Sequence, residues 1–149
     1  MTDNVKLTGR YFATLYGPDG NVKDTAATDN VVTTVGKEFL ASFLYSASVA
    51  AATNTAKYAV IGTDGTGAAV GNTALGTEIS RHTGTVAYAS GAIYQVTATF
   101  AAGSGTGDVV EYGIYTTNTG GTLISRATKS AIAKGASDSL TVVFQVTLS

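Results

Sequence analysis

The chain is 149 residues long and carries nine Lys and Arg against ten Asp and Glu, a formal net charge of −1. That balance offers no cationic footprint for nucleic acid, and the absence of Cys excludes a disulfide framework or a thiolate metal site. No apolar run approaches the ~20 residues that span a bilayer, while a hydrophobic content of 44% excludes a disordered chain. Charged residues make up only 13%, about half the usual ~25%. The opening Met1-Thr2-Asp3-Asn4-Val5-Lys6 is polar and lacks the apolar stretch of a signal peptide.

In chain order, Val5 to Tyr16 mixes β-branched and aromatic side chains and runs into Gly17-Pro18-Asp19-Gly20. Pro presets φ at the second turn position and Gly closes the turn, so a return strand over Val22 to Thr28 completes a hairpin. The spacing of Val35, Phe39 and Phe43, widened by Leu40 and Leu44, predicts one helix between Thr34 and Leu44, capped by Thr33 or Thr34. So short a helix is marginal alone, and its Val35, Phe39, Leu40 and Phe43 face is expected to dock on a sheet as helix core. Ser46 to Thr55 reads as a loop.

Tyr58 to Ile61 reads as a short strand entering the Gly62-Thr63-Asp64-Gly65-Thr66-Gly67 loop, and Thr73 to Arg81 as a helical turn with Leu75 and Ile79 inward. Strands follow over Thr85 to Ala89, Ile93 to Ala101, Val109 to Thr116, Thr122 to Ser130 and Leu140 to Leu148, separated by glycine turns. In the last, Leu140, Val142, Phe144, Val146 and Leu148 alternate with Thr141, Val143, Gln145 and Thr147, the pattern of a half-buried strand. Short strands with glycine turns and one helix give an all-β fold: an antiparallel jelly-roll-like β-sandwich, with a closed up-and-down barrel as the alternative. Residues 1–149 read as one domain, with an N-terminal β-hairpin or arm at about residues 1–29.

Chemistry-bearing residues are sparse. The Gly62 to Gly67 loop has no following Lys to reach phosphates. Asp64 has no neighbouring carboxylate with which to complete six to eight calcium ligands, so the loop reads as a flexible strand connection. His82 is the single histidine, which leaves a His-based metal site without partners. No Gly-x-Ser-x-Gly elbow accompanies it. Acid catalysis requires two carboxylates on one cleft, and Glu78 and Glu111 lie in ordered-looking segments. Glu111 interrupts the apolar run Val109 to Tyr115, where a bare charge is costly. Glu78, Arg81, Glu111 and Arg126 are therefore structural ion-pair candidates, with Glu111 paired to Arg81 or Arg126. Neither catalytic residues nor a cofactor is expected. Tyr112 and Tyr115 lean to opposite faces of one strand, which argues for packing rather than an aromatic platform.

Five segments resemble those of small bacteriophage virion structural proteins, of the capsid decoration or tail-collar fibre adaptor type. Asn30-Val31-Val32-Thr33-Thr34-Val35-Gly36 resembles their helix-opening Asn-x-Val-Thr-x-x-Gly. Ala59-Val60-Ile61-Gly62-Thr63 is similar to their strand ending in Gly-Thr-Gly, with Asp64 in place of the last glycine. Leu75 to Arg81 resembles Leu-x-x-Glu-x-x-Arg, Glu111-Tyr112-Gly113-Ile114-Tyr115 resembles Glu-x-Gly-Leu-Phe, and Lys134 to Leu148 resembles their final strand. The resemblance runs from about residue 30 to 149. It implies a non-enzymatic virion component with a jelly-roll-like domain, and no catalytic residues to carry over.

With no heptads and no fibre shaft, the expectation is a capsid decoration (cement) protein that binds the major capsid protein lattice. A tail-collar or tail-fibre adaptor contacting a tail or neck protein is the alternative. The competing class is a carbohydrate-binding module or small hydrolase on the same sandwich. Low charge and the uncovered edges of an open sandwich predict self-association, as a homotrimer, within the virion.

Overall fold

The computed structural model describes residues 5–45 and 56–149. Ser46 to Thr55, expected as a loop, lies outside the described residues, as do residues 1–4. Nine strands and one helix follow in order: β1 (Leu7–Tyr16), β2 (Val22–Val32), α1 (Thr34–Tyr45), β3 (Tyr58–Gly62), β4 (Glu78–Thr83), β5 (Thr85–Ser90), β6 (Ile93–Phe100), β7 (Gly107–Tyr115), β8 (Leu123–Lys134) and β9 (Ser139–Leu148). All are antiparallel to their neighbours, in the order β4-β3-β7-β8-β2-β1-β9-β6-β5. The fold is all-β, one sheet nearly closed into a barrel-like sandwich.

Two features close it. Strand β2 bends, pairing with β1 through Asn30 and then with β8 through Val31 and Val32. The two ends of the strand order, β4 and β5, are consecutive in the chain and joined by Gly84 alone. The Gly84 N–H donates to the Lys57 carbonyl at 2.6 Å. A Cβ on Gly84 would fall 2.4 Å from Val96 Cγ1, so only glycine lets the edge pass this close to β6. The β1–β2 hairpin forms around a turn in which the Gly20 N–H bonds the Gly17 carbonyl with Gly20 at φ 78°. It occupies the middle of the strand order rather than a margin.

Alternation builds the main core. Tyr11, Ala13 and Leu15 of β1, Val96, Ala98 and Phe100 of β6, and Leu140, Val142 and Phe144 of β9 meet Ile61, Tyr112 and Ile114 from the other half. Each large side chain buried this way contributes about 1.5–3 kcal/mol. A second, smaller cluster of Val60, Leu75, Tyr115 and Leu123 lies apart from it, on the outer side of β3, β7 and β8, beneath residues 63–77. Tyr112 belongs to the first cluster and Tyr115 to the second.

The helix is capped by Thr33, whose buried hydroxyl accepts the Gly36 N–H at 3.0 Å. Along its apolar stripe, Val35, Phe39 and Leu40 are half-buried rather than fully buried. Of these, Phe39 packs against the main cluster, and the Phe43 side chain lies outside the described residues. Gly36 lies close to β8: a Cβ there would fall 2.3 Å from the Ile124 carbonyl oxygen.

The helical turn expected over Thr73 to Arg81 is absent; the chain there is irregular and then extended as β4. Its backbone groups are satisfied from outside. The Thr77 carbonyl accepts the Thr63 N–H at 3.0 Å, and the Gly76 and Thr77 N–H groups donate to Glu111. Gly76 also disfavours a helix. Leu75 is buried and Ile79 half-buried.

Candidate functional site

Strand register gathers the chemistry-bearing residues on the outer side of β4-β3-β7-β8. Arg81, Val60, Gly113 and Arg126 stand in one cross-strand row, and Glu78, Gly62, Glu111 and Thr128 in a neighbouring one. Residues directly opposite share a face. Each row thus places its two ionisable groups apart, and the two rows place each acid beside an arginine.

Glu111 and Arg126 are both buried. Arg126 Nε and Nη2 donate to Glu111 Oε2 at 3.1 and 2.8 Å. The same carboxylate accepts three backbone N–H groups of the 63–77 segment: Asp64 at 3.2 Å, Gly76 at 2.9 Å and Thr77 at 2.7 Å. Arg126 Nη1 reaches Asn72 Oδ1 at 3.2 Å, and Asp64 Oδ2 lies 3.6 Å from Nη2. Asp64 is held below the usual carboxylate range, first by the backbone and hydroxyl hydrogen bonds of Thr66 and last by the Arg126 charge. The segment is therefore tied at several points, in contrast to the flexible connection expected from its glycines. Gly62 makes room for the clamp, since a Cβ there would fall 2.4 Å from both Glu111 Oε1 and the Thr77 carbonyl oxygen.

Glu78 and Arg81 pair at 2.7 Å on the other flank. The Arg81 guanidinium lies 4.0 Å from the Tyr115 ring centroid, and its Nη1 donates to the Thr117 and Gly120 carbonyls at 2.9 and 2.8 Å. The two carboxylates considered for acid catalysis each face an arginine and not one another. Burial raises the Tyr115 hydroxyl above its ordinary value, although that hydroxyl accepts the Leu75 N–H.

His82 Nε2 lies 2.8 Å from Ser104 Oγ, which in turn meets Ser80 Oγ at 2.8 Å. The imidazole stands edge-on to Phe100, ring centroids 4.9 Å apart. A nucleophile–base contact has this geometry, but a triad also requires a group that orients the other ring nitrogen. Among the described residues no carboxylate bonds His82, and no three His, Cys, Asp or Glu side chains gather into a metal site. The contact ties β4 to the β6–β7 connection.

A further polar cluster lies at the β8–β9 turn. The buried Lys134 donates to the Ala101 and Asp138 carbonyls at 3.0 and 2.9 Å, and burial lowers its pKa. The Asp138 carboxylate accepts Lys23 Nζ at 2.7 Å and the Gly135 N–H at 2.9 Å, which together hold it below the usual range. Sequence reasoning missed this cluster, and it missed Ser104, Asn72 and the two glycines beside Glu111. Each acquires its role from a partner more than ten residues away or from a turn geometry that composition does not reveal.

Comparison of the chain with protein-family models, curated proteins and solved structures gives no match.

Proposed function

We propose that this protein is a non-enzymatic bacteriophage virion structural component, a capsid decoration protein that binds the major capsid lattice. The observation that carries the reading is the outward face of β2, β1, β9 and β6. Its rows run Thr25, Thr14, Thr141 and Thr99; then Ala27, Phe12, Val143 and Thr97; then Asp29, Arg10, Gln145 and Gln95. Within these rows only Arg10 and Asp29 carry charge. A broad, nearly neutral face on a barrel suits repeated contact with other protein copies, because little charge has to be desolvated on assembly. The engagement of Glu78 and Glu111 by arginines supports a scaffold role for those residues. The five motif resemblances supply the virion context.

The protein is expected to self-associate as a trimer. Light scattering at micromolar concentration should return about three times the 15.0 kDa chain mass, and a value near one chain mass counts against it. Copy number in purified particles then separates the two virion readings. Abundance comparable to the major capsid protein supports decoration, and about a dozen copies, as for a ring at one vertex, supports the tail-collar alternative.

A further inference from the structure

We infer that a polar groove at the Arg10–Asp29 end of the neutral sheet face binds a neutral oligosaccharide. The groove has a volume of about 440 Å³ and is lined by Thr8, Arg10, Asp29, Asn30, Gln145 and Thr147, among others. That volume lies within the ~300–1,000 Å³ of small-ligand clefts. Its walls come from three adjacent strands in fixed register, Thr8 opposite Thr147 and Arg10 opposite both Asp29 and Gln145.

The side chains there have hydrogen-bonding capacity that the fold does not use. Arg10 and Asp29 face each other on neighbouring strands, yet no ion pair joins them among the described residues; the Arg10 guanidinium instead lies 5.3 Å from the Phe12 ring centroid. Gln145 bonds Gln95 at 2.9 Å through one of its two amide atoms, leaving the other open.

The chemistry selects the ligand class. A guanidinium, a carboxylate, an amide and two threonine hydroxyls provide donors and acceptors together, with no net charge. An anion would meet Asp29 and a cation would meet Arg10. A polyhydroxyl ligand presents donors and acceptors on each ring and suffers neither repulsion. With Arg10 over the Phe12 ring, recognition rests on hydrogen bonds rather than sugar stacking, and affinity in the millimolar range is expected. The groove shares the Asp29, Arg10 and Gln145 row with the face proposed for protein contact, so sugar binding is tested on the purified chain and separately from particle binding.

The test is ligand-observed and protein-observed NMR titration of the purified chain. The probes are neutral tri- and tetrasaccharides of glucose, galactose, mannose and N-acetylglucosamine, with sialyllactose as the acidic comparison. At least one neutral probe should bind, with shifts confined to the groove. Asp29→Asn at an exposed position and Gln145→Ala at a half-buried one, both verified by melting temperature, should each weaken it about tenfold, the order expected for a lost hydrogen bond to a charged group or a paired amide. Thr99→Ala, elsewhere on the same face, should leave it unchanged. The inference is overturned if no neutral probe binds at tens of millimolar, if binding survives both groove variants, or if only sialyllactose binds and Arg10→Ala abolishes that binding.

Discussion

Arg126 sets two of its N–H groups, Nε and Nη2, on one oxygen of Glu111, with neither side chain exposed. The other Glu111 oxygen accepts backbone N–H groups of Asp64 and Thr77. The pair thus satisfies a buried carboxylate and fixes the 63–77 segment over the sheet. Removing either partner strands the other charge in a desolvated site, at a cost of about 3–5 kcal/mol. Glu111→Gln and Arg126→Met should each lower stability by that order in urea unfolding. The double variant should lose less than the sum of the singles; full additivity would show that the two residues act independently.

Two glycines make the close approaches around this clamp and the helix. A Cβ at Gly62 would fall 2.4 Å from the Thr77 carbonyl oxygen, and one at Gly36 would fall 2.3 Å from that of Ile124. Both obstacles are backbone, which cannot swing aside as a side chain end can. Gly62→Ala and Gly36→Ala are each expected to destabilise by about 1–3 kcal/mol, the range for overpacking. Gly71, with nothing within 4 Å of its added Cβ, provides the contrast: Gly71→Ala should change the melting temperature little. Equal effects at all three positions would contradict the packing described.

The Asp138 carboxylate is held below its ordinary pKa by Lys23 and by the Gly135 N–H. Between the folded and unfolded values the unfolded chain binds more protons, so stability rises with pH across that window. The contribution is present at neutral pH and is lost as pH falls below the ordinary carboxylate range. Asp138→Asn should therefore lower the melting temperature at pH 7, with the difference from wild type shrinking on acidification toward pH 3. A pH-independent difference would assign the loss to packing instead.

Tyr11, Tyr94 and Tyr112 are all pushed up by burial, Tyr94 to about 12 and the other two further. Tyr11 and Tyr112 stack at 4.3 Å between ring centroids inside the main core. An acid whose folded pKa is raised contributes stability below its unfolded value of about 10, which is lost as pH rises through the folded one. In an alkaline titration followed by tyrosinate absorbance, the folded protein at about pH 11 should show fewer than its eight tyrosines ionised. The remainder should ionise together with unfolding. Eight tyrosines titrating before the fold is lost would place these hydroxyls at the surface.

Periodicity made most of the strands legible. In β9, the burial alternates residue by residue as the side chains do, because a period of two needs no information beyond the strand itself. The requirement that Glu111 find a countercharge was equally local, since a carboxylate within an apolar strand cannot stay hydrated. Which arginine answers it was not local. Arg126 lies opposite Gly113, next to Glu111 on the same face, whereas Arg81 lies two strands away beyond Val60. Only the pairing register decides between them.

The same division explains the misread segment. The residues from Thr73 to Arg81 have a spacing compatible with a helical turn, but Glu111, more than thirty positions later, takes the N–H groups of Gly76 and Thr77. By itself, the sequence determined an all-β chain with one capped helix, a hairpin at Gly17–Gly20 and an acid in need of a partner. These follow from alternation, turn chemistry and desolvation acting within a few residues. The tertiary structure alone decided that Gly84 joins the two ends of the strand order, that the Glu111–Arg126 pair holds the 63–77 segment and that Arg10 and Asp29 share a groove. Each of these is a contact between strands whose adjacency depends on the order and register of the whole sheet, to which every strand contributes and which no single segment encodes.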